Sequence, residues 1–158
     1  MNKKNYIIFL IITFLLIGCG YKAIDKSILK EFQLKEIEFS GDKKIGFLIK
    51  NNLTQNFISK KEGKPITLKI GSIKEKSIKE KNLKNQIIKY KISLVTTVEI
   101  YFVSDNKKEK FIISLNGSYN VDANHAGTIN NQNIMENHLA QKTSQQIRSK
   151  LILLINDY

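Results

Sequence analysis

Three observations predict an α+β fold: two stripes of apolar residues at helical spacing, several runs of strict apolar and polar alternation, and their order of strand, helix, strand, long hairpin, helix. The expected architecture is a two-layer sandwich. About four strands form one sheet, a long antiparallel hairpin makes up half of it, and both helices pack on one face.

The first strand is short. Leu34, Ile37 and Phe39 alternate loosely with Glu36 and Glu38, Leu34 being out of phase, and Ser40-Gly41 ends the run. Asp42 is placed to cap a helix, because Ile45, Leu48, Ile49, Leu53 and Phe57 then recur on one helical face. That helix should stop within residues 59–65, where Gly63 can reverse the chain and Pro65, the chain's one proline, cannot continue it. Ile66, Leu68 and Ile70 give a second strand, with a bulge expected at Gly71. A strand-helix-strand unit of this kind can pair its strands in parallel through a right-handed crossover.

Ser72-Ile73-Lys74-Glu75-Lys76 is followed at once by Ser77-Ile78-Lys79-Glu80-Lys81 and then by a third polar pentad, 82–86. A single copied unit is too little for a solenoid, and its polarity reads as an exposed loop or a ragged strand extension. From residue 88 the even positions Tyr90, Ile92, Leu94, Val98, Ile100 and Phe102 face one way, interrupted only by Thr96, against Lys89, Lys91, Ser93 and Glu99. After a reversal at residues 104–108, Phe111, Ile113, Leu115, Tyr119 and Val121 answer them, which makes the long hairpin. Residues 122–130 read as a polar loop. Met135, Leu139, Thr143, Ile147, Leu151, Leu154 and Tyr158 then mark the closing helix.

The N-terminus is of another kind. A basic start, Lys3-Lys4, precedes an apolar run from Tyr6 to Ile17 that is too short for a bilayer span of about 20 residues. Leu16-Ile17-Gly18-Cys19 closes it and resembles the lipobox of bacterial lipoproteins. That resemblance implies cleavage before Cys19 and acylation of its thiol and amine with palmitate-like chains, two or more of which anchor a protein stably to a membrane. An ordinary signal peptide with an incidental cysteine is the plainer alternative. In lipoprotein sorting an Asp after the cysteine resembles an inner-membrane retention signal. Gly20 stands there, which favours the outer membrane and its periplasmic side. The division is then residues 1–18 as signal peptide, 19–33 as lipidated N-terminus and tether, and 34–158 as one α+β domain.

Of 26 basic residues 25 are lysines, Arg148 being the exception, against 14 acidic ones. Such a surface attracts anionic lipid headgroups and lipid phosphates. Nucleic acid is not an expected partner, since the lysines are not interleaved with stacking aromatics. Cys19 is the sole cysteine, so no disulfide can form within the chain and stability must come from packing. No catalytic or metal motif occurs, and His125 and His138 stand without companions that would make a ligand set. No cofactor, metal or enzymatic activity is expected. The candidate binding residues are Lys74, Lys76, Lys79, Lys81, Lys84, Lys89 and Lys91, which outnumber Glu75 and Glu80 locally and suit transient contact with phosphates. A solvated loop kept soluble by its lysines is the alternative.

Beyond the lipobox, the chain resembles the LptE family of lipopolysaccharide-assembly lipoproteins. The resemblance lies in Gly20-Tyr21 after the cysteine, in Phe39-Ser40-Gly41-Asp42-Lys43-Lys44-Ile45 leading into Leu48-Ile49-Lys50-Asn51-Asn52-Leu53, in the hairpin, and in Tyr119 and the helix with Ala140 and Ile147. Where some members carry an Arg-Gly pair, Lys22-Ala23-Ile24-Asp25 stands instead. The resemblance implies a non-enzymatic outer-membrane lipoprotein that fills the lumen of the β-barrel partner LptD and contacts lipopolysaccharide. The other reading is a lipid-anchored periplasmic lipid carrier, or an auxiliary subunit of an envelope transporter, with an apolar pocket between sheet and helices.

Overall fold

The computed structural model describes residues 32–55 and 63–156. Strand β1 (Phe32–Gly41) leads into helix α1 (Lys43–Thr54); strands β2 (Lys64–Lys81), β3 (Ile87–Phe102) and β4 (Lys107–Asn120) follow, and helix α2 (His125–Asn156) comes last. The four strands form one open sheet in the order β1-β2-β3-β4. β1 and β2 are parallel, and the other two pairings are antiparallel. This is the expected α+β sandwich with its long hairpin.

Alternation explains which face is covered. Ile92, Leu94, Val98, Ile100 and Phe102 of β3 are at most 2% exposed, and Thr96 shares their face. Ile66, Leu68 and Ile70 lie beside them in β2 and are buried too. Helix α1 contributes Ile45, Ile49 and Leu53, and α2 contributes Leu139, Ala140, Ile147 and Leu151 to the same core. The two helices also touch each other, the Ser144 hydroxyl lying 2.8 Å from the Ala140 carbonyl of its own helix and 3.4 Å from that of Ile49.

Several local expectations are corrected. Gly71 holds regular register with both Ser40 and Thr97, so the bulge expected there is absent; the irregularity in β1 falls between Leu34 and Glu36. That extra residue is why Leu34 was out of phase with Ile37 and Phe39. Of the two readings of residues 72–81, the ragged strand extension holds: they pair with β3 as far as Lys81↔Ile87, with register shifts near Glu80. Backbone pairing there does not require an apolar face, and a composition polar on both faces conceals it. Helix α2 starts at His125, inside the segment expected to be loop. Its polar start is a capping sequence, with Asn124 Oδ1 accepting the Gly127 N–H at 2.6 Å. Helix α1 ends at Thr54; the expected positions Phe57 and Tyr158 lie outside the described residues.

Two glycines are dictated by close approach. Gly41 has φ +85° at the turn from β1 into α1, with the Ser72 carbonyl where a Cβ would project. Gly117 lies under Met135 of α2, whose thioether would have to shift to admit a side chain there.

The register makes a direct test. Leu94→Asp puts an unpaired carboxylate in the core and should cost about 4 kcal/mol or more in urea unfolding. Ser93→Lys, on the opposite face and across from Glu75, should stay within about 0.5 kcal/mol. Equal costs would show the faces to be misassigned.

Candidate functional site

The lysine-rich repeat has a period of five, whereas side chains on a strand alternate with a period of two. Equivalent residues of the two copies therefore point to opposite faces. Lys74 and Lys76 turn toward the helices, while Lys79 turns to the uncovered face, where its ammonium donates to Ser118 Oγ at 3.1 Å. The candidate residues consequently divide into two groups.

The inward group meets an acid that sequence reasoning missed. Glu136 is 0% exposed and lies on the buried stripe of α2, one turn before Ala140. Lys74 Nζ is 3.0 Å from Glu136 Oε1 and 3.0 Å from Asp42 Oδ2; Lys44 Nζ is 2.6 Å from Glu136 Oε2. Gln132 donates its amide to Glu136 Oε1 at 2.9 Å. Asp42 has two tasks, since its Oδ1 also accepts the Ile45 N–H at 2.9 Å and caps α1 as expected. The cluster thus joins the start of α1, the middle of β2 and the first half of α2.

Lys76 extends it. Its ammonium lies 4.1 Å from the centroid of the Tyr90 ring and donates to Gln132 Oε1 at 3.1 Å. Tyr119 stacks on Tyr90 with centroids 5.6 Å apart and donates its hydroxyl to the same Gln132 oxygen at 2.9 Å. A polar layer therefore closes the far end of the hydrophobic core.

Burial alone would raise the Glu136 carboxyl, but hydrogen bonds from Lys44, Gln132 and Lys74 outweigh it and hold the group below its ordinary 4.5. Burial likewise opposes charge on Asp42, yet the Ile45 N–H and Lys74 hold it below 3.8. Lys74, which burial would lower, is held above 10.5 by its hydrogen bonds to Asp42 and Glu136. The site is a fixed set of charges at neutral pH.

The other candidates surround the end of the β2–β3 hairpin. Lys89 pairs with Glu80 at 3.0 Å, Lys81 donates to Asn85 Oδ1 at 3.0 Å, Lys84 is exposed in the turn, and Lys91 is half-buried on the outer face. Leu83 in that turn is fully exposed. On the uncovered face of the sheet Ile73 pairs with Val95, and Ile112 pairs with the neighbouring Thr97. These three apolar residues are 64%, 39% and 63% exposed. Glu99, bonded to Lys110 at 2.8 Å, and Glu75, across from Ser93, lie apart from one another on exposed positions. His125 and His138 are exposed on α2. Among the described residues no group of three or more His, Cys, Asp or Glu gathers. Cys19 lies outside them.

Among the described residues, the side chains of β2 and β3 that face the helices, Ile66, Leu68, Leu94, Val98 and Ile100, are buried. Two hollows of about 320 and 390 Å³ open among the described residues, one on the outer face of the sheet beside Lys69 and Glu99, the other between β1 and α1, lined by Leu34, Ile37, Lys50 and Thr54. No described helix is long and apolar enough to cross a membrane.

The fold has counterparts among solved structures. Rare lipoprotein B from Shewanella oneidensis superposes with a TM-score of 0.58 at 12% identity, over 77% of this chain and 97% of that one. A chain described as a lipoprotein, from Caulobacter crescentus, gives 0.59 at 12% identity, over 83% of this chain and 94% of that one. At such identity the likeness is one of fold. No family model matches the sequence, and no curated protein matches it.

Because both carboxylates sit below their ordinary values, the stability they contribute is complete above about pH 4.5 and is lost as the pH falls through their folded values. The contribution of Lys74 is complete below 10.5 and is lost at higher pH. Glu136→Gln should cost about 3 kcal/mol at pH 7, because it leaves Lys74 without its buried counter-charge. In urea unfolding across pH the gap between wild type and variant should narrow below 4.5. A gap independent of pH would show that Glu136 is not a buried anion.

Proposed function

We propose that the protein is a non-enzymatic, lipid-anchored outer-membrane lipoprotein that assembles with an LptD-like β-barrel and assists lipopolysaccharide assembly from the periplasmic side. The observation that carries this reading is the bare outer face of the sheet. Its apolar row of Ile73, Val95 and Ile112 is bounded by paired charges, Glu38 with Lys69 and Glu99 with Lys110, each at 2.8 Å. An apolar centre with a polar rim is the composition of a protein interface. The lipobox, the sequence resemblance to LptE and a fold shared with bacterial lipoproteins support the same reading.

The carrier alternative needs an apolar cavity between sheet and helices. The described core is instead closed by Leu94, Ile100, Leu139 and Ile147, none more than 2% exposed, and by the polar layer at its far end. Burial of this kind favours a scaffold that offers its surfaces over a container.

Mild-detergent purification of tagged protein from native membranes, followed by mass spectrometry, should recover a large β-barrel protein and bound lipopolysaccharide. A partner that fills or lines a lumen is matched over a large area, so the complex should survive dilution. Ile112→Asp should lose the barrel while circular dichroism and urea unfolding stay those of wild type. Recovery of only a free monomer, or of a barrel equally well with Ile112→Asp, would overturn the assignment of this face.

A further inference from the structure

We infer that the β2–β3 turn is a membrane-contacting finger, with Leu83 entering the boundary between headgroups and acyl chains of an anionic phospholipid surface and the surrounding lysines pairing with headgroup phosphates. The inference rests on the proposed function only in placing the chain at a membrane. It does not require the barrel.

The finger is a consequence of unequal strand lengths. β4 ends at Asn120, opposite Lys89, and its last backbone contact is the Val121 N–H donating to the Ile88 carbonyl at 2.9 Å. Beyond that point one more pair, Lys81↔Ile87, and the turn at 82–86 extend past β4, with no third strand beside them among the described residues. The turn is rigid. Asn82 Oδ1 accepts the N–H groups of Lys84 and Gln86, both at 3.0 Å, the Asn85 N–H returns to the Asn82 carbonyl at 2.9 Å, and Asn85 takes the positive φ of 62° that asparagine tolerates.

None of this geometry requires leucine at 83. The second position of such a turn accepts most residues, and polar ones would be the ordinary choice in water. Leu83 is nevertheless 107% exposed, held outward by a turn whose hydrogen bonds are made by its neighbours. Because the turn is already ordered, inserting this side chain costs little additional conformational entropy.

Charge selects the partner. Lys81 and Lys84 lie in or beside the turn, and Lys79, Lys89 and Lys91 follow it along the two strands, with Glu80, paired to Lys89, the one acid among residues 79–91. An apolar tip ringed by lysines matches a bilayer surface, where flexible lysine stems lie along apolar material while their ammonium groups reach phosphates. An apolar protein groove would have to desolvate these same ammonium groups.

The chain has no tryptophan, so Leu83→Trp makes residue 83 a single indole reporter, and Asp105→Trp does the same at the turn between β3 and β4, at the opposite end of the sheet. Full-length protein is reconstituted into vesicles of brominated phosphatidylglycerol and phosphatidylethanolamine, or of brominated phosphatidylcholine alone. In the anionic vesicles the residue-83 indole should emit at shorter wavelength and be quenched, and the residue-105 indole should stay water-like. High salt, or Lys79→Glu, Lys81→Glu and Lys84→Glu together, should return the first to water-like emission. Water-like emission at 83 in the anionic vesicles would overturn the inference. So would equal quenching at both ends, or the same blue shift without lipid, which would mark a protein contact. Failure to recover a barrel would remove the proposed partner and leave these outcomes unaffected.

Discussion

Glu136 is the constraint around which the upper half of the domain is arranged. A carboxylate on the buried stripe of a helix is untenable unless cations and donors reach it, and Lys44, Lys74 and Gln132 do so from three elements. Replacing such a cluster with apolar side chains of equal volume would cost little, so its value is positional. A slip of α2 along the sheet would separate Glu136 from Lys74, and a slip of β2 by one residue would turn Lys74 to the outer face. Asp42 extends the constraint to α1, because one carboxylate both caps that helix and holds Lys74.

Fixing α2 over β3 and β4 has consequences at a distance. It places Gln132 where Lys76, Tyr90 and Tyr119 can complete the polar layer, and this layer ends the covered part of the sheet. Beyond it the β2–β3 hairpin runs on alone. Among the described residues the structure so divides into a covered face that serves stability and exposed apolar features, the row of Ile73, Val95 and Ile112 and the turn residue Leu83.

Much of the fold was legible in the sequence because alternation and helical spacing report burial directly. The even face of β3, the buried positions of α1 and the cap at Asp42 are all of that kind. The polar elements were not legible. Residues 72–81 could be read as loop or as strand extension because neither face is consistently apolar, and the start of α2 hides in a capping sequence that resembles a loop. The candidate lysines were visible as an excess of charge, but not as two groups. The odd period of the repeat was the available signal, since five residues on a strand reverse the face. Glu136 left a fainter one, an acid three residues before Leu139 and four before Ala140 on a buried stripe; its partners come from elements remote in sequence, which periodicity alone cannot connect.

That the ion cluster specifically pins the first half of α2 to the sheet can be read by hydrogen exchange on a Glu136→Leu variant. Protection should fall in residues 128–140 of α2 and 72–78 of β2 while residues 98–102 of β3 and 145–152 of α2 keep theirs, because the apolar core holds those without the cluster. A uniform loss across the domain, or no change near the cluster, would contradict the account.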